Sequence, residues 1–164
     1  MELTLRVNGG ECAVDVPAGK ILADVLREDC GLTGTHLGCE QGVCGSCTVL
    51  YNGWPVRSCL LFAVQCTDAE ITTVEGLADP DGRLHPVQEA FRRHGAFQCG
   101  FCTPGFLMLL AGALRSEPLD ETELRELVSS NLCRCTGYLP ILAAARDAAA
   151  DLAQRSAPRS DRDL

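Results

Sequence analysis

Near its start the chain alternates apolar and polar positions with a period of two, which is typical of strands with one buried face. Leu3, Leu5 and Val7 alternate in this way, an Asn-Gly-Gly stretch turns the chain, and the alternation then resumes. This pattern predicts a β-hairpin. Residues 20–29 place apolar side chains at helical spacing, which predicts a short amphipathic helix packed on the hairpin.

A glycine-rich stretch over residues 31–47 separates this helix from a second predicted hairpin. Strands at residues 48–51 and 54–58 flank Asn52-Gly53, a strong hairpin turn, and a last strand covers residues 71–74. The order of hairpin, helix and further strands predicts a β-grasp layout, in which one sheet packs against one helix.

After residue 76 the apolar period changes from two to 3.6, so the second half is predicted to be helical. The polar residues 77–83 predict a linker between the two halves. One helix is expected over residues 103–114, with Thr103 as its N-cap and Pro104 at the first helical position.

Three more helices complete the predicted helical region, residues 84–154. One covers residues 86–94, and a second opens at Asp120, with Glu123 in the position of a capping box. The last runs from Pro140 to about residue 154, and the polar residues 155–164 are predicted to form a frayed tail.

Charge and hydropathy remove several classes of function. The net charge is −8 and the pI about 4.8, whereas nucleic-acid binding requires a basic surface. No apolar run approaches the roughly 18 residues of a membrane span, and no secretory signal opens the chain. We therefore expect a cytoplasmic protein with neither nucleic acid nor membrane insertion.

The chain contains 11 cysteines, an odd and unusually high number. Under reducing conditions clustered cysteines more often bind metal or carry out redox chemistry than form disulfides. The cysteine pattern therefore favours metal binding over a disulfide framework.

The first cysteine set has the spacing C-x4-C-x2-C followed by a distant cysteine, which is the plant-type ferredoxin pattern for a [2Fe–2S] cluster. Its members are Cys39, Cys44, Cys47 and Cys59. Such a cluster carries negative charge, so backbone N–H groups must point at its sulfurs, and Gly38, Gly42 and Gly45 are expected to allow this. A structural zinc site is the alternative, although zinc sites favour two C-x2-C pairs.

The second set lies in two turns between predicted helices and comprises Cys99, Cys102, Cys133 and Cys135. Two helical hairpins facing each other would bring these four thiols to one point, next to helix N-termini that favour negative charge. From spacing alone, both zinc and an iron–sulfur cluster remain open for this set.

The remaining cysteines, Cys12, Cys30 and Cys66, are expected to be small buried apolar residues. The three histidines are isolated and are expected to be surface or internally satisfied residues. Gln98 precedes Cys99 and by itself is only a turn residue. No nucleophile–base pair, phosphate loop or dinucleotide fingerprint is present, so no substrate chemistry is predicted on this chain.

Both cysteine sets lie in longer motifs that resemble the small iron–sulfur subunit of molybdenum hydroxylases, the xanthine oxidase and carbon monoxide dehydrogenase family. The likeness runs from the first hairpin to about residue 150, with no departure at any ligand position. The matching stretches are LTGTHLGCE at residues 32–40, CGSCTV at 44–49, QCGFCTPG at 98–105 and NLCRCTGY at 131–138.

The resemblance implies an α+β chain with two cluster domains. Residues 1–76 would be a ferredoxin-like β-grasp domain with the distal [2Fe–2S] cluster on the first cysteine set. Residues 84–154 would be an all-α four-helix bundle with the proximal cluster on the second set.

The resemblance also implies partners. A large subunit would carry molybdopterin, approached by Gln98 and Cys135, and a medium subunit would usually carry FAD, in a heterotrimer that can dimerise. The chain is then an electron-transfer subunit that relays electrons from the molybdenum centre to FAD or another acceptor. A free-standing two-cluster ferredoxin and a zinc-bound interaction module are the alternatives, and the substrate is not encoded here.

Overall fold

The five strands of the first half form one mixed sheet in the order β2-β1-β5-β3-β4. A computed structural model describes residues 1–115 and 119–156, so the predicted tail lies outside the described residues from residue 157 onward. The strands are β1 (Glu2–Val7), β2 (Gly10–Asp15), β3 (Thr48–Tyr51), β4 (Trp54–Arg57) and β5 (Glu70–Thr72).

Both predicted hairpins are confirmed, and each turns through an Asn-Gly pair with positive φ at both residues. Asn8 and Gly9 have φ of 54° and 76°, and Asn52 and Gly53 have φ of 50° and 84°. Two consecutive left-handed residues give a turn whose twist matches that of the flanking strands. The last strand ends earlier than predicted, because Val74 begins a 3₁₀ turn, Val74–Gly76.

The predicted first helix is short and changes its winding. Helix α1 (Leu22–Asp24) continues directly as a π-helical turn, Val25–Asp29. Leu22, Val25 and Leu26 are fully buried and pack against the inner face of the sheet, where Leu5 and Ile71 lie. The apolar pattern thus predicts the buried face correctly, whereas it carries no signal for the wider turn.

Four helices form the second half and share one apolar core. Asp120 caps its helix as predicted, since its carboxylate accepts from the N–H groups of Thr122 and Glu123 at 2.8 and 2.9 Å. The prediction that Thr103 is the N-cap of its helix is wrong, because Cys102 occupies that position. The buried Thr103 hydroxyl has no hydrogen-bond partner among the described residues. The helices are α2 (Pro86–Arg93), α3 (Thr103–Ala113), α4 (Glu121–Ser129) and α5 (Leu139–Ser156).

Helix α3 joins the two halves, because it packs closely on strands β3 and β4 of the sheet. Gly105 and Gly112 are seven residues apart and therefore lie on one face of the helix. A Cβ at Gly112 would lie 2.7 Å from the Pro55 ring and 2.8 Å from Leu50, and one at Gly105 would overlap the Gly45 carbonyl. Within the described residues, no helix is long and apolar enough to cross a bilayer.

Cys12 and Cys30 form a disulfide, which corrects the expectation that both are free buried thiols. The half-buried Cys12 lies on β2 and the half-buried Cys30 ends the π-helical turn, with 6.2 Å between their Cα atoms. Spacing alone gives no indication of this pairing, because it arises only when the helix folds back onto the hairpin. Cys66 is fully buried and free, as expected.

We expect the double variant Cys12→Ser/Cys30→Ser to unfold at a lower temperature. The disulfide closes a loop of 18 residues, and a loop of that size is worth about 3 kcal/mol in the chain-entropy account. Scanning calorimetry measures the change, and reduced wild-type protein serves as the control that should match the variant.

Alkylation after denaturation gives an independent count of free thiols by mass spectrometry. Nine of the 11 cysteines should react without reductant, because two are bonded, and all should react after reduction. Complete alkylation without reductant would contradict the pairing.

Candidate metal centres

The loop that carries the first cysteine set is held in a backbone conformation that its glycines permit. Gly42 and Gly45 both have φ of 77°, a region that residues with a Cβ rarely adopt. A Cβ at Gly42 would also lie 2.5 Å from Leu60. Gly38 has no positive φ, but a Cβ there would lie 3.2 Å from the Cys44 sulfur, so close approach explains this glycine.

The structure brings the four cysteines of the first set together. The Cys39 sulfur accepts from the backbone N–H of Cys44 at 3.3 Å and of Gln41 at 3.4 Å, and these bonds lower the pKa of the Cys39 thiol to about 7. Burial, and then contact with Cys47, raise the pKa of the Cys59 thiol to about 11. Cys47 and Cys59 are only 2% and 6% exposed.

The structure also brings the second set together, in the way that two facing helical hairpins would. The sulfurs of Cys99 and Cys135 lie 3.5 Å apart, although 36 residues separate them. Burial, and then its neighbour Cys133, raise the pKa of the Cys102 thiol to about 12. Cys99 and Cys135 are exposed, so this set reaches the surface.

Two local contacts shape the turn that carries Cys133. The Cys133 N–H donates to the Tyr138 hydroxyl at 3.0 Å, and that hydroxyl donates to the Asn131 carbonyl at 3.2 Å. The Cys133 sulfur lies 3.1 Å from the Thr136 hydroxyl. Burial alone would raise the pKa of the Cys133 thiol, but the Thr136 contact and nearby backbone N–H groups lower it overall.

The donors fit an iron–sulfur cluster. Each set offers four sulfurs. Backbone N–H groups point at some of these sulfurs, and other sulfurs are buried. A buried thiolate is stable only beside positive charge, which the iron ions of a cluster would supply. Within the described part of the chain, no three Cys, His, Asp or Glu side chains are arranged to bind a single metal ion. In a [2Fe–2S] cluster the four thiolates are divided between two irons, so no three of them bind the same ion.

Comparison with known proteins extends this chemistry to a family. Residues 5–75 match the profile of a 2Fe-2S iron-sulfur cluster binding domain, and residues 73–146 match that of a [2Fe-2S] binding domain. The 6-hydroxypseudooxynicotine dehydrogenase complex subunit beta of Paenarthrobacter nicotinovorans is 54% identical over 148 residues, which are 89% of this chain and 92% of that protein. This chain belongs to the family of small iron–sulfur subunits of molybdenum hydroxylases.

Other relatives support the same family assignment for this iron–sulfur subunit. Caffeine dehydrogenase subunit gamma of Pseudomonas sp. (strain CBB1) is 51% identical over 85% of this chain and 86% of its own length. A chain of quinoline 2-oxidoreductase from Pseudomonas putida 86 superimposes with a TM-score of 0.88 at 49% identity, covering 95% of this chain and 97% of that one. Aldehyde oxidoreductase from Desulfovibrio gigas superimposes with a TM-score of 0.86 at 42% identity, over 94% of this chain but only 17% of its own longer chain.

Two hydrogen bonds connect the loops of the two cysteine sets, one between backbone groups and one from a side chain. The Leu132 N–H donates to the Cys44 carbonyl at 2.9 Å, so a residue next to Cys133 is bonded to a cysteine of the first set. The buried Asn131 amide donates to the Gly45 carbonyl at 3.3 Å. These two bonds connect the turn of Cys133 and Cys135 directly to the first cysteine loop.

Sequence reasoning missed the contacts between the two cysteine loops. Asn131 and His36 both make such contacts. Both residues lie in the motifs around the cysteines, but nothing in the sequence indicates which residue each of them contacts. Gln98 is exposed at the surface beside the exposed Cys99.

We expect Cys135→Ser to remove one of two clusters. Iron should fall from about four to about two per chain, and reduction should leave one [2Fe–2S] signal in electron paramagnetic resonance (EPR) spectra instead of two. Iron analysis and EPR of the dithionite-reduced protein measure this loss.

Cys66→Ala is the matched control, because Cys66 is also a free thiol but lies in the sheet core away from both sets. It should keep about four irons and both signals. Retention of both signals in Cys135→Ser would remove Cys135 from the ligand set.

Proposed function

We propose that this subunit relays electrons from a molybdopterin on a large partner subunit, through its proximal and then its distal [2Fe–2S] cluster, to FAD on a medium subunit or to another acceptor. The observation that carries this proposal is the exposure of the two cysteine sets: the first has two buried and two partly exposed cysteines, whereas the second has two exposed cysteines at the surface next to Gln98. When bound, each cluster supplies reversible one-electron transfer.

We propose that each cysteine set binds one cluster and that each set lies in its own domain. Residues 1–76 form the ferredoxin-like β-grasp domain, residues 77–83 the linker, and residues 84–154 the four-helix bundle. The two family profiles that meet at residues 73–75 support this division. The distal ligands are Cys39, Cys44, Cys47 and Cys59, and the proximal ligands are Cys99, Cys102, Cys133 and Cys135.

We propose that the large subunit docks on the proximal rim, which we define as the exposed apolar side chains next to the proximal cysteines in the chain. Leu139 is 77% exposed, which is costly in water and suits a contact with a partner. Gln98 and Cys135 lie in this region and are the residues we propose to face the pterin. The rim consists of Phe97, Phe101, Leu132 and Leu139.

A second group of exposed apolar residues lies beside the distal set. Val43, within the first cysteine loop, is 62% exposed, and Leu60, next to Cys59, is exposed as well. We propose that the medium FAD subunit or another acceptor docks here, and that the heterotrimer can dimerise. We place the complex in the cytoplasm, because reducing conditions keep ligand thiols available for cluster assembly, and the Cys12–Cys30 disulfide must then resist those conditions.

The substrate is chosen elsewhere in the complex. Similar small subunits belong to enzymes named for substrates as different as caffeine, nicotine and aldehydes. This chain offers no substrate chemistry of its own. We therefore propose that the large subunit selects the substrate and that this subunit only carries the electrons away.

Purification of the chain from its native host tests the proposal against a free-standing ferredoxin. The complex should contain a large and a medium subunit by mass spectrometry, molybdenum by metal analysis and about four irons per copy of this chain. A monomer with no molybdenum would support the free-standing carrier instead, and zinc without iron would support the interaction module.

The docking proposal predicts that Leu139→Glu releases the large subunit, because a charge at the centre of an apolar contact must lose its water without a partner. Molybdenum that co-purifies with the chain should fall at least about tenfold, as expected for a loss of more than 1.4 kcal/mol of binding energy. Iron content should not change.

Ala150→Glu is the matched control, since Ala150 is exposed on the same helix but further from the cysteines. It should leave the molybdenum content unchanged. Equal losses in both variants would argue against a specific docking site at the rim.

Gln98→Ala should leave both clusters intact and slow the reduction of the proximal cluster by substrate in the assembled complex. The side chain is exposed and its removal leaves no cavity, so no loss of stability is expected. Iron analysis, EPR and stopped-flow absorbance measure the three quantities. Loss of a cluster would instead assign Gln98 a structural role.

A further inference from the structure

His36 lies between the two cysteine loops, three residues before Cys39. Its ring stacks on that of Phe101, with 5.0 Å between the centroids and 22° between the planes. Its Nδ1 lies 2.7 Å from the Phe101 carbonyl oxygen. A carbonyl oxygen can only accept, so Nδ1 carries the proton in this contact, which determines the tautomer.

Phe101 occupies the turn between Cys99 and Cys102. Its ring also approaches the first cysteine loop, since a Cβ at Gly38 would lie 3.3 Å from its Cε1 atom. One aromatic ring of the second half thus contacts both His36 and the backbone that leads to Cys39. The stacked pair fills space between the two loops.

The second half has two cysteine pairs, and each is attached to the first half in a different way. The turn of Cys133 and Cys135 is attached through the Leu132 N–H and the Cys44 carbonyl, which any residue at position 132 other than proline could provide. The turn of Cys99 and Cys102 is attached through the side chain of His36. The Asn131 side chain adds a second bond at the Cys133–Cys135 turn, to the Gly45 carbonyl, whereas His36 is the side chain that attaches the Cys99–Cys102 turn to the first cysteine loop.

We propose that His36 is a positioning residue: its ring stack and its Nδ1–H bond hold the Cys99–Cys102 turn at a fixed separation from the first cysteine loop. The proposal rests on the relay function above, because this separation matters when an electron passes between two clusters. Electron tunnelling weakens steeply with distance, so a loosened turn slows transfer and alters the magnetic interaction of the reduced clusters.

Three variants separate the two contacts of His36. His36→Phe keeps a ring for stacking and loses the donor, His36→Gln keeps a donor and loses the ring, and His36→Ala loses both. His94→Ala is the matched control, because the His94 ring also contacts a partner residue, Asp147, but lies between α2 and α5.

Hydrogen exchange in the complete complex provides a readout other than activity. In His36→Ala the amides of residues 100–102 should exchange about tenfold faster than in wild type, as expected for loss of one hydrogen bond to a local opening reaction. The magnetic interaction between the two reduced clusters in EPR should weaken, while iron content and both separate signals remain. His36→Gln and His36→Phe should each restore part of the protection, and His94→Ala should match wild type.

The outcomes separate this proposal from the relay function. Unchanged exchange and unchanged magnetic interaction in His36→Ala would overturn the positioning role and leave the relay intact. Loss of iron in both His36→Gln and His36→Phe would also overturn it, because His36 would then serve cluster assembly. A wild-type complex with fewer than two cluster signals would overturn the relay, and the positioning role with it.

Discussion

The position of the Gly45 carbonyl is the constraint on which both cysteine sets depend. It accepts from the Thr48 N–H and hydroxyl at 3.2 and 2.7 Å and from the Asn131 amide at 3.3 Å. Gly105 of α3 packs directly against it, since a Cβ there would overlap its oxygen. Gly45 lies between Cys44 and Cys47, and Asn131 precedes Cys133, so a displacement of this one peptide would shift cysteines of both sets.

The two sets differ in how far the protein itself shields them from water. In the first set Cys47 and Cys59 are buried and the other two are partly exposed, whereas in the second set Cys99 and Cys135 are exposed and the other two are partly exposed. Solvent exposure and hydrogen bonds to sulfur are among the main determinants of a cluster's reduction potential. With the docking proposed above, a partner on the proximal rim would therefore change the surroundings of the second set far more than those of the first.

Local sequence signals predict most of the fold, because the interactions that carry them are local. The Asn-Gly pairs predict both hairpins, and Asp120 with Glu123 predicts the start of α4. Spacing also groups eight cysteines into two sets, and the structure brings the members of each set near one another, because each set lies on turns whose flanking elements are predictable. The Cys12–Cys30 pairing and the His36–Phe101 contact could not be predicted, because each depends on how separate elements pack against one another.

The two halves gather four cysteines by different means, and this has an energetic consequence. In the sheet half, the sequence from Cys39 to Cys59 is short and its loop is already bonded internally through Cys44 and Gln41. In the helical half, 36 residues separate Cys99 from Cys135, and α3 and α4 lie between them. Closing a longer stretch of chain costs more entropy, and a bound metal group that closes it contributes correspondingly more to folding. With the ligand set proposed above, the proximal cluster would therefore cross-link the two helical hairpins as well as transfer electrons, so loss of one of its ligands would also lower the stability of the helical half.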